Sequence, residues 1–302
     1  MSMAESVNEK QTFQSLLKKI RQIEIKSKKL STDNFSGNYS SAFKGRGMSF
    51  KEVREYAAGD DVRFIDWNTS ARFGHPFSKL FEEDRENTLM LLIDCSASNL
   101  IGTSHQTKQE LITEISALVA FSAIKNNDKV GAVFFTDKIE KFIPPKKGKG
   151  HVLHIIAQML TINPASKHTD ISVALQFLNQ VVRTKAIVVL CSDFEDNDTY
   201  FKTLKAASFR HDCVGIQVYD AIEAELPKAG LIPFVDAESG DLIWVDSANK
   251  DVQQNWKNSW QRDSMRISDT LKAARWDFIK FRTGDDYIKN LQSFFINRIK
   301  RG

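Results

Sequence analysis

The sequence predicts an α/β fold built on a mostly parallel, doubly wound sheet, and three observations support this. Short, mostly apolar segments indicate buried strands; they cover residues 89–93, 130–135, 186–191, 214–218 and 276–281. Segments with apolar residues at helical spacing lie between or after them and cover residues 111–124, 152–160, 171–182 and 287–299. Strands that are apolar throughout are typical of a parallel sheet with helices on both faces.

The first 30 residues predict a basic helix, because apolar residues recur at helical spacing among many lysines. These apolar residues are Phe13, Leu16, Leu17, Ile20 and Ile23. Such a helix either packs at the periphery of the domain with its lysines in water, or makes an electrostatic contact with a membrane surface. We favour the packed helix.

Residues 31–86 predict an irregular N-terminal extension packed on the core, since they are rich in Gly, Arg, Asp and aromatic residues without clean periodicity. Within it, segment 59–72 mixes acidic residues and arginines with Trp67. It is either a partner-docking face, because Arg and Trp are common interface anchors, or a buried ion-pair network, which we favour. The Lys44-Gly45-Arg46-Gly47 piece lacks the glycine spacing and the terminal Lys-Ser/Thr of a phosphate-binding loop.

Residues 87–302 are expected to form the α/β domain. Residues 139–143 indicate an edge strand that ends at Pro144 and Pro145. Two further strand-like segments flank Ser239-Gly240 and predict a β-hairpin inserted at about residues 228–248.

The composition excludes several classes of protein. Of 302 residues, 42% are hydrophobic and 26% charged, which is globular rather than disordered. The net charge of +4 gives no reason to expect a nucleic acid partner. Three widely spaced cysteines, Cys95, Cys191 and Cys213, match neither a disulfide framework nor a zinc site and favour a reducing compartment.

No apolar run reaches the roughly 20 residues that span a bilayer, and residues 1–30 lack the apolar core of a secretory signal. We therefore expect a cytoplasmic protein without a transmembrane segment, in which only the basic helix leaves room for peripheral membrane association.

The first core strand leads directly into Asp94-Cys95-Ser96-Ala97-Ser98. A carboxylate followed by hydroxyls two and four residues later offers three oxygens on one side of a turn, and oxygens are the ligands of hard cations. Taken alone the pattern is weak, because serines are common turn residues. Asp94 could also cap a turn while the serines bond to backbone groups, which would leave an empty site.

Two other loops strengthen the pattern. Thr169 precedes a predicted helix and offers another hydroxyl, and Asp193 follows the buried segment 186–191. Parallel strands end at a common edge of the sheet, where ligands of such folds bind. We therefore expect Asp94, Ser96, Ser98, Thr169 and Asp193 to form one divalent-cation site. The hydroxyl-rich set favours Mg²⁺ over a carboxylate-rich Ca²⁺ cage, with Mn²⁺ or Ca²⁺ as alternatives.

These five residues resemble the metal-ion-dependent adhesion site (MIDAS) of von Willebrand factor A domains. The resemblance implies that Ser96, Ser98 and Thr169 bind the metal directly or through water, and that Asp94 and Asp193 support the coordination shell. In that family an acidic side chain of a protein partner commonly completes the site. Asn99 stands where adhesion sites often have an apolar residue.

A second resemblance covers almost the whole chain. Its signature begins at Tyr39 and Phe43-Lys44-Gly45-Arg46-Gly47-Met48, continues through Val53-Arg54-Glu55-Tyr56, Gly59-Asp60-Asp61-Val62-Arg63 and Ile65-Asp66-Trp67-Asn68, and ends at Ser70-Ala71-Arg72. This stretch is similar to the bacterial domain-of-unknown-function family number fifty-eight, a relative of the A domains. That family is typically associated with MoxR-type AAA+ ATPases, so the resemblance implies an adaptor or assembly factor that works with such an ATPase or its client.

We therefore expect a cation-dependent protein-binding module and no enzymatic activity. One alternative is a metal-dependent phosphatase, because a strand-end Asp with Mg²⁺ is similar to the haloacid-dehalogenase site. Those enzymes usually have a second Asp two residues later, where this chain has Ser96. The other alternative is a metal-free structural subunit that works through segment 59–72.

Overall fold

The computed structural model describes residues 3–31, 33–43, 48–83, 86–102, 106–196, 200–235 and 241–301. Lys44-Gly45-Arg46-Gly47 and Ser239-Gly240 lie outside the described residues. The chain forms two compact units: Met1–Phe43 together with Asn87–Gly302, and Lys44–Glu86. The predicted extension over residues 31–86 is thus divided between them.

The helices are α1 (Met3–Leu30), α2 (Asp33–Ala42), α3 (Trp67–Phe73), α4 (Lys108–Lys125), α5 (Lys149–Thr161), α6 (Ile171–Val181), α7 (Phe201–Arg210), α8 (Ala221–Ala224), α9 (Lys250–Ala273) and α10 (Tyr287–Ile299). The strands are β1 (Met48–Glu55), β2 (Phe77–Glu83), β3 (Thr88–Asp94), β4 (Lys129–Phe135), β5 (Ile139–Lys146), β6 (Ile187–Ser192), β7 (Asp212–Tyr219), β8 (Leu231–Val235), β9 (Leu242–Asp246) and β10 (Asp277–Arg282). Short 3₁₀ turns cover Val62–Phe64 and Ala97–Leu100.

A six-stranded sheet with the order β10-β7-β6-β3-β4-β5 forms the centre of the first unit. All neighbouring strands in it are parallel except β5, which is antiparallel to β4. The chain extends the sheet in one direction from β3 to β5, then returns to the other side of β3 with β6. The predicted mostly parallel, doubly wound α/β fold is confirmed, and its topological switch point lies between β3 and β6.

Each face of this sheet has its own hydrophobic core, because side chains of a strand alternate between the faces. In β3, Leu89, Leu91 and Ile93 join one core with α4, α5 and α10. Met90 and Leu92 join the other core with α6, α7 and α9. The alternation explains why a strand that is covered on both sides has to be apolar at every position.

The edge strand β5 runs through Pro144 and Pro145 to Lys146, so the prediction that it ends at these prolines was wrong. An edge strand tolerates proline because its outer N–H groups have no ladder partner to lose. Opposite the prolines, β4 has a register shift at Gly131. A Cβ atom there would lie 2.9 Å from Pro145 N, so the close approach requires glycine.

The N-terminal helices pack on the first unit. In the described part of α1, Ile23 is buried and Lys26 forms a 2.6 Å ion pair with Glu114 of α4. Residues 33–42, which were predicted to be irregular, form α2. Its rings Phe35 and Tyr39 lie on one helical face, where each contacts Phe295 of α10 edge to face.

The second unit contains the antiparallel pair β1–β2, one 3₁₀ turn and α3. The Asp66 carboxylate caps α3 by accepting from Asn68 N and Thr69 N at 3.1 Å each. Gly74 ends this helix in the left-handed conformation at φ 78°. Segment 59–72 is therefore an ordered turn and helix.

The ion pairs of segment 59–72 are not buried, so the favoured prediction of a buried network was wrong. Arg63 pairs with Asp61 at 2.6 Å, and the side chain of Arg63 is largely exposed. Trp67 is 71% exposed. The Arg54–Asp60 and Lys79–Asp66 pairs likewise leave their basic side chains 43% and 41% exposed.

The predicted hairpin insertion is present as the antiparallel pair β8–β9. One face of the hairpin packs on α9, where the ring centroids of Phe234 and Trp256 are 5.2 Å apart. The other face exposes Leu231, Val235 and Trp244, the last of these at 57%.

Across the described residues, no helix combines the length and the apolar character required to cross a bilayer.

Candidate metal centre

The candidate site lies at the carboxyl edge of the sheet, at its topological switch point. Asp94 is the last residue of β3, and Ser192 is the last residue of β6. The two strands are parallel neighbours, so their carboxyl ends meet. In open α/β sheets, ligands bind in the crevice at this place.

The loop after β3 is organised by Asp94, which is buried. One of its carboxylate oxygens accepts from Ser96 N at 2.9 Å, and the other accepts from the Ser192 hydroxyl at 2.6 Å. The Oγ atoms of Ser96 and Ser98 lie 3.0 Å apart. The predicted carboxylate and both predicted hydroxyls are therefore close together.

Asn99 has a structural role in this loop. Its Nδ2 donates to the backbone oxygen of Asp94 at 3.3 Å and to Ser96 Oγ at 3.2 Å. The departure from the apolar residue of adhesion sites thus supplies an amide that fixes the loop.

The segment before α6 carries the predicted ligand Thr169. Ala97 N donates to Lys167 O at 3.2 Å, which joins this segment to the loop after β3. Thr169 is 9% exposed, and its Oγ1 atom is buried without a hydrogen-bond partner among the described residues. A buried hydroxyl without a partner costs free energy, so this one marks a place where a ligand would be stabilised.

Asp193 lies directly after β6. It accepts from Lys108 Nζ at 2.9 Å and from Glu195 N at 3.1 Å, and its carboxylate also hydrogen-bonds to the Ser98 side chain. The next residue, Phe194, has φ 62°. This conformation is unfavourable for an aromatic residue, so the tight turn after Asp193 depends on the buried packing of the Phe194 ring.

The two carboxylates have opposite pKa shifts. Burial and the negative charge of Asp193 raise the pKa of Asp94 to about 6, although hydrogen bonds from Ser192 and Ser96 oppose the rise. Burial also acts to raise the pKa of Asp193, but the Lys108 ammonium and the Ser98 hydrogen bond outweigh it, and the pKa is lowered. Asp193 is therefore the more firmly ionised of the two.

The residues present fit a divalent cation. Asp94, Ser96, Ser98, Thr169 and Asp193 would hold it with hydroxyl and carboxylate oxygens, the donor type that Mg²⁺ prefers. Over the described part of the chain, no cluster of three or more His, Cys, Asp or Glu residues offers an alternative metal site.

Sequence reasoning missed Lys108 and its second partner Glu223. Lys108 is completely buried and lies 2.6 Å from Glu223. A lysine at the start of an amphipathic helix ordinarily faces solvent, so no local signal in the sequence identifies it.

Cys95 lies within the metal loop but is not a reactive thiol. Its Sγ is buried and donates to Ile93 O at 3.5 Å. Burial, with a smaller effect of Asp94, raises the pKa of this thiol far above its ordinary value, which keeps the thiolate nucleophile unavailable.

Several uncharacterised proteins resemble this chain. "Uncharacterized protein Rv1480" of Mycobacterium tuberculosis (strain ATCC 25618 / H37Rv) is 28% identical over 286 residues, which cover 94% of this chain and 89% of the relative. "Uncharacterized protein YeaD" of Bacillus subtilis (strain 168) is 29% identical over 107 residues, covering 35% of this chain and 25% of the relative.

Among solved structures, BatB from Bacteroides thetaiotaomicron, a conserved hypothetical protein, aligns with a TM-score of 0.46 at 16% identity and covers 72% of this chain and 100% of its own. The SpRpn10 VWA domain aligns with a TM-score of 0.36 at 12% identity and covers 72% and 98%.

A family model supplies the assignment, because it matches residues 52–266, well over half of the sequence. The match begins in the second unit, covers β3 to β7 of the six-stranded sheet and ends within α9, so it includes the candidate metal centre. The chain belongs to the family described as "Protein of unknown function DUF58".

Proposed function

We propose that this chain is a divalent-cation-dependent protein-binding module. The observation that carries the proposal is the buried, unpartnered hydroxyl of Thr169, on a segment hydrogen-bonded to the loop of Asp94. Together with the two carboxylates of Asp94 and Asp193 and the hydroxyls of Ser96 and Ser98, it would give the oxygen composition that a cation site needs.

Mg²⁺ is the cation that we propose, ahead of Mn²⁺ or Ca²⁺. The ligand set contains three hydroxyls, and one of its two carboxylates is already paired with Lys108. Such a set adds little negative charge, so the bound ion would keep a positive charge that attracts an acidic side chain.

The partner that we propose is a protein with an exposed acidic side chain. The family resemblance directs this proposal to a MoxR-type AAA+ ATPase or its client, with the present chain as an adaptor or assembly factor. We propose the cytoplasm as its compartment, in keeping with the three buried free cysteines Cys95, Cys191 and Cys213.

Binding without catalysis is also part of the proposal. The phosphatase alternative requires a general acid two residues after Asp94, and Ser96 occupies that position. Turnover of a generic aryl phosphate by the wild-type chain with Mg²⁺, and its loss in Asp94→Asn, would favour the enzyme instead.

A pull-down from native cell extract tests the main proposal. The wild-type chain should retain a partner in Mg²⁺ and release it in excess EDTA, while Ser96→Ala should fail to retain it in either buffer. Ser259→Ala, at an exposed position of α9, is the matched control and should behave as wild type. Retention of the same partner in EDTA would refute cation dependence.

The exposure of Trp67 favours a second candidate, a metal-free subunit that binds through segment 59–72. In that case Trp67→Ala would abolish the pull-down, and Mg²⁺ would not change the melting temperature. A ligand that binds only the native state must raise that temperature, so the two candidates give different results.

A further inference from the structure

Lys108 is placed where a lysine is costly. It is the first residue of α4, and its backbone N–H donates to Ile101 O at 3.1 Å, directly after the 3₁₀ turn of the metal loop. The side chain is 0% exposed. Burial disfavours an ammonium group, and the amino end of a helix is the positive end of its dipole. Two separate effects therefore oppose a cation at this position.

Two carboxylates from distant elements offset this cost. Lys108 Nζ lies 2.9 Å from Asp193 of the candidate metal centre and 2.6 Å from Glu223 of α8. Burial acts to lower the pKa of Lys108, but the charges of Asp193 and Glu223 outweigh it and raise the pKa, so the group stays charged. The fold has thus placed a permanent positive charge beside the proposed site of a divalent cation.

Glu223 is itself held in place. The Asp220 carboxylate caps α8 by accepting from Ile222 N at 3.1 Å, and the Glu223 carboxylate accepts from Asp220 N at 3.3 Å. The other Asp220 oxygen accepts from the Thr283 hydroxyl at 2.6 Å. Because α8 is anchored in this way, Lys108 is held between two fixed carboxylates.

The charge balance decides how strongly a cation binds. Asp94, Asp193 and Glu223 carry three negative charges when all are ionised, and the Lys108 ammonium offsets one of them. Because the ammonium is in direct contact with Asp193, it repels any divalent ion that approaches this carboxylate. It also occupies an oxygen that the ion would otherwise use.

We propose that Lys108 is a positioning residue that acts as a resident cation, meaning a positive charge built into the site. It holds the Asp193 carboxylate in place and keeps the affinity of the chain alone for a divalent ion low. This inference rests on the proposed function and deepens it. High affinity then requires the carboxylate of the protein partner, so cation and partner bind together. A site that is weak alone and strong with its partner avoids permanent occupation by free Mg²⁺.

Isothermal titration of the full chain with MgCl₂ alone tests the proposal. Lys108→Met should tighten Mg²⁺ binding at least tenfold relative to wild type, because Asp193 becomes available to the ion. Damage to the fold would weaken binding, so a gain of affinity cannot come from a purely structural role. In Lys108→Met combined with Asp193→Asn, the gain should disappear.

Lys108→Met alone leaves two buried carboxylates without a countercharge and could fail to fold. Lys108→Met combined with Glu223→Gln removes one of these charges and should show the same gain. Glu223→Gln alone should not tighten Mg²⁺ binding, because the ammonium still holds Asp193.

The outcomes separate this inference from the proposed function. If wild type binds Mg²⁺ and both Lys108→Met proteins bind it equally well, the resident-cation inference is overturned and the cation-dependent module stands. If only the Lys108→Met proteins bind Mg²⁺ measurably, the inference stands, and the pull-down in Mg²⁺ against EDTA then decides whether the natural chain binds its partner through the cation. If no protein binds Mg²⁺, both are refuted.

Discussion

Removing the charge of Asp94 should stabilise the metal-free protein. The carboxylate is buried, and burial together with Asp193 raises its pKa from 3.8 to about 6. Asp94→Asn keeps the size of the side chain. Its amide oxygen can still accept from Ser96 N, and its amide nitrogen can donate to Ser192 Oγ, whose hydroxyl then turns away. The substitution therefore removes an unfavourable charge and keeps both neighbours of the side chain, although the buried Ser192 hydroxyl proton loses its acceptor.

The sign and size of this stability change follow from the folded and unfolded pKa values of Asp94. Since the folded pKa is above the unfolded one, the folded state binds the proton more tightly. The proton on Asp94 stabilises the folded state fully below pH 3.8, and this stabilisation is lost as the pH rises through about 6. Each pH unit between the two values corresponds to about 1.4 kcal/mol, so the ionised carboxylate costs at most about 3 kcal/mol at pH 7.5. Asparagine carries no such cost at any pH.

Urea unfolding in excess EDTA measures the difference. At pH 7.5 the free energy of unfolding of Asp94→Asn should exceed that of wild type, and the excess should shrink at pH 5. In saturating Mg²⁺ the order should reverse, because a ligand bound to the native state stabilises only the protein that binds it. If Asp94→Asn is less stable than wild type in EDTA at pH 7.5, the conclusion that the buried charge of Asp94 destabilises the metal-free protein is refuted.

Three further substitutions test other parts of the structure. Thr169→Val should raise the free energy of unfolding in EDTA by about 1 kcal/mol, because it removes a buried hydroxyl without a partner. It should also reduce the rise in melting temperature that Mg²⁺ causes. If that rise is unchanged, Thr169 is excluded as a ligand. Gly131→Ala should lower the free energy of unfolding in urea by about 1–3 kcal/mol, because its Cβ would lie 2.9 Å from Pro145 N. Unchanged stability would mean that β5 can move away from the new side chain. Trp276→Phe should cost about 1–3 kcal/mol in the same assay, because the Leu204 carbonyl loses a donor at 2.9 Å, and equal stability would imply a replacement donor.

The sheet was predictable because each of its strands can be recognised from the apolar residues of a short local segment. An apolar run such as that of β3 has to be buried on both faces wherever it occurs, and the turn residues that follow it mark the carboxyl edge. The approximate positions of Asp94 and Asp193 at one edge follow from the two strands that end there. The sequence alone does not identify a cation for these residues, because hydroxyl-rich loops also serve as ordinary turns.

The features that sequence reasoning missed depend on tertiary context. Pro144 and Pro145 can lie within β5 only because β5 is the last strand of the sheet. Residues 33–42 form a helix that is mostly polar, so its sequence does not indicate that two of its rings pack on Phe295. Lys108 is buried because α8 and β6, both more than 80 residues later, each bring a carboxylate to it.

The hairpin β8–β9 lies within the crossover from β7 to β10, whose parallel register is fixed by pairing along six residues. That pairing does not involve the hairpin strands, which bond to each other. The parallel sheet therefore does not depend on the length of the turn between β8 and β9, while the face of the hairpin with Phe234 stays packed on α9. Grafting a foreign peptide or a fluorescent tag between β8 and β9 should leave the parallel register as it is, which makes this the natural place to label the protein.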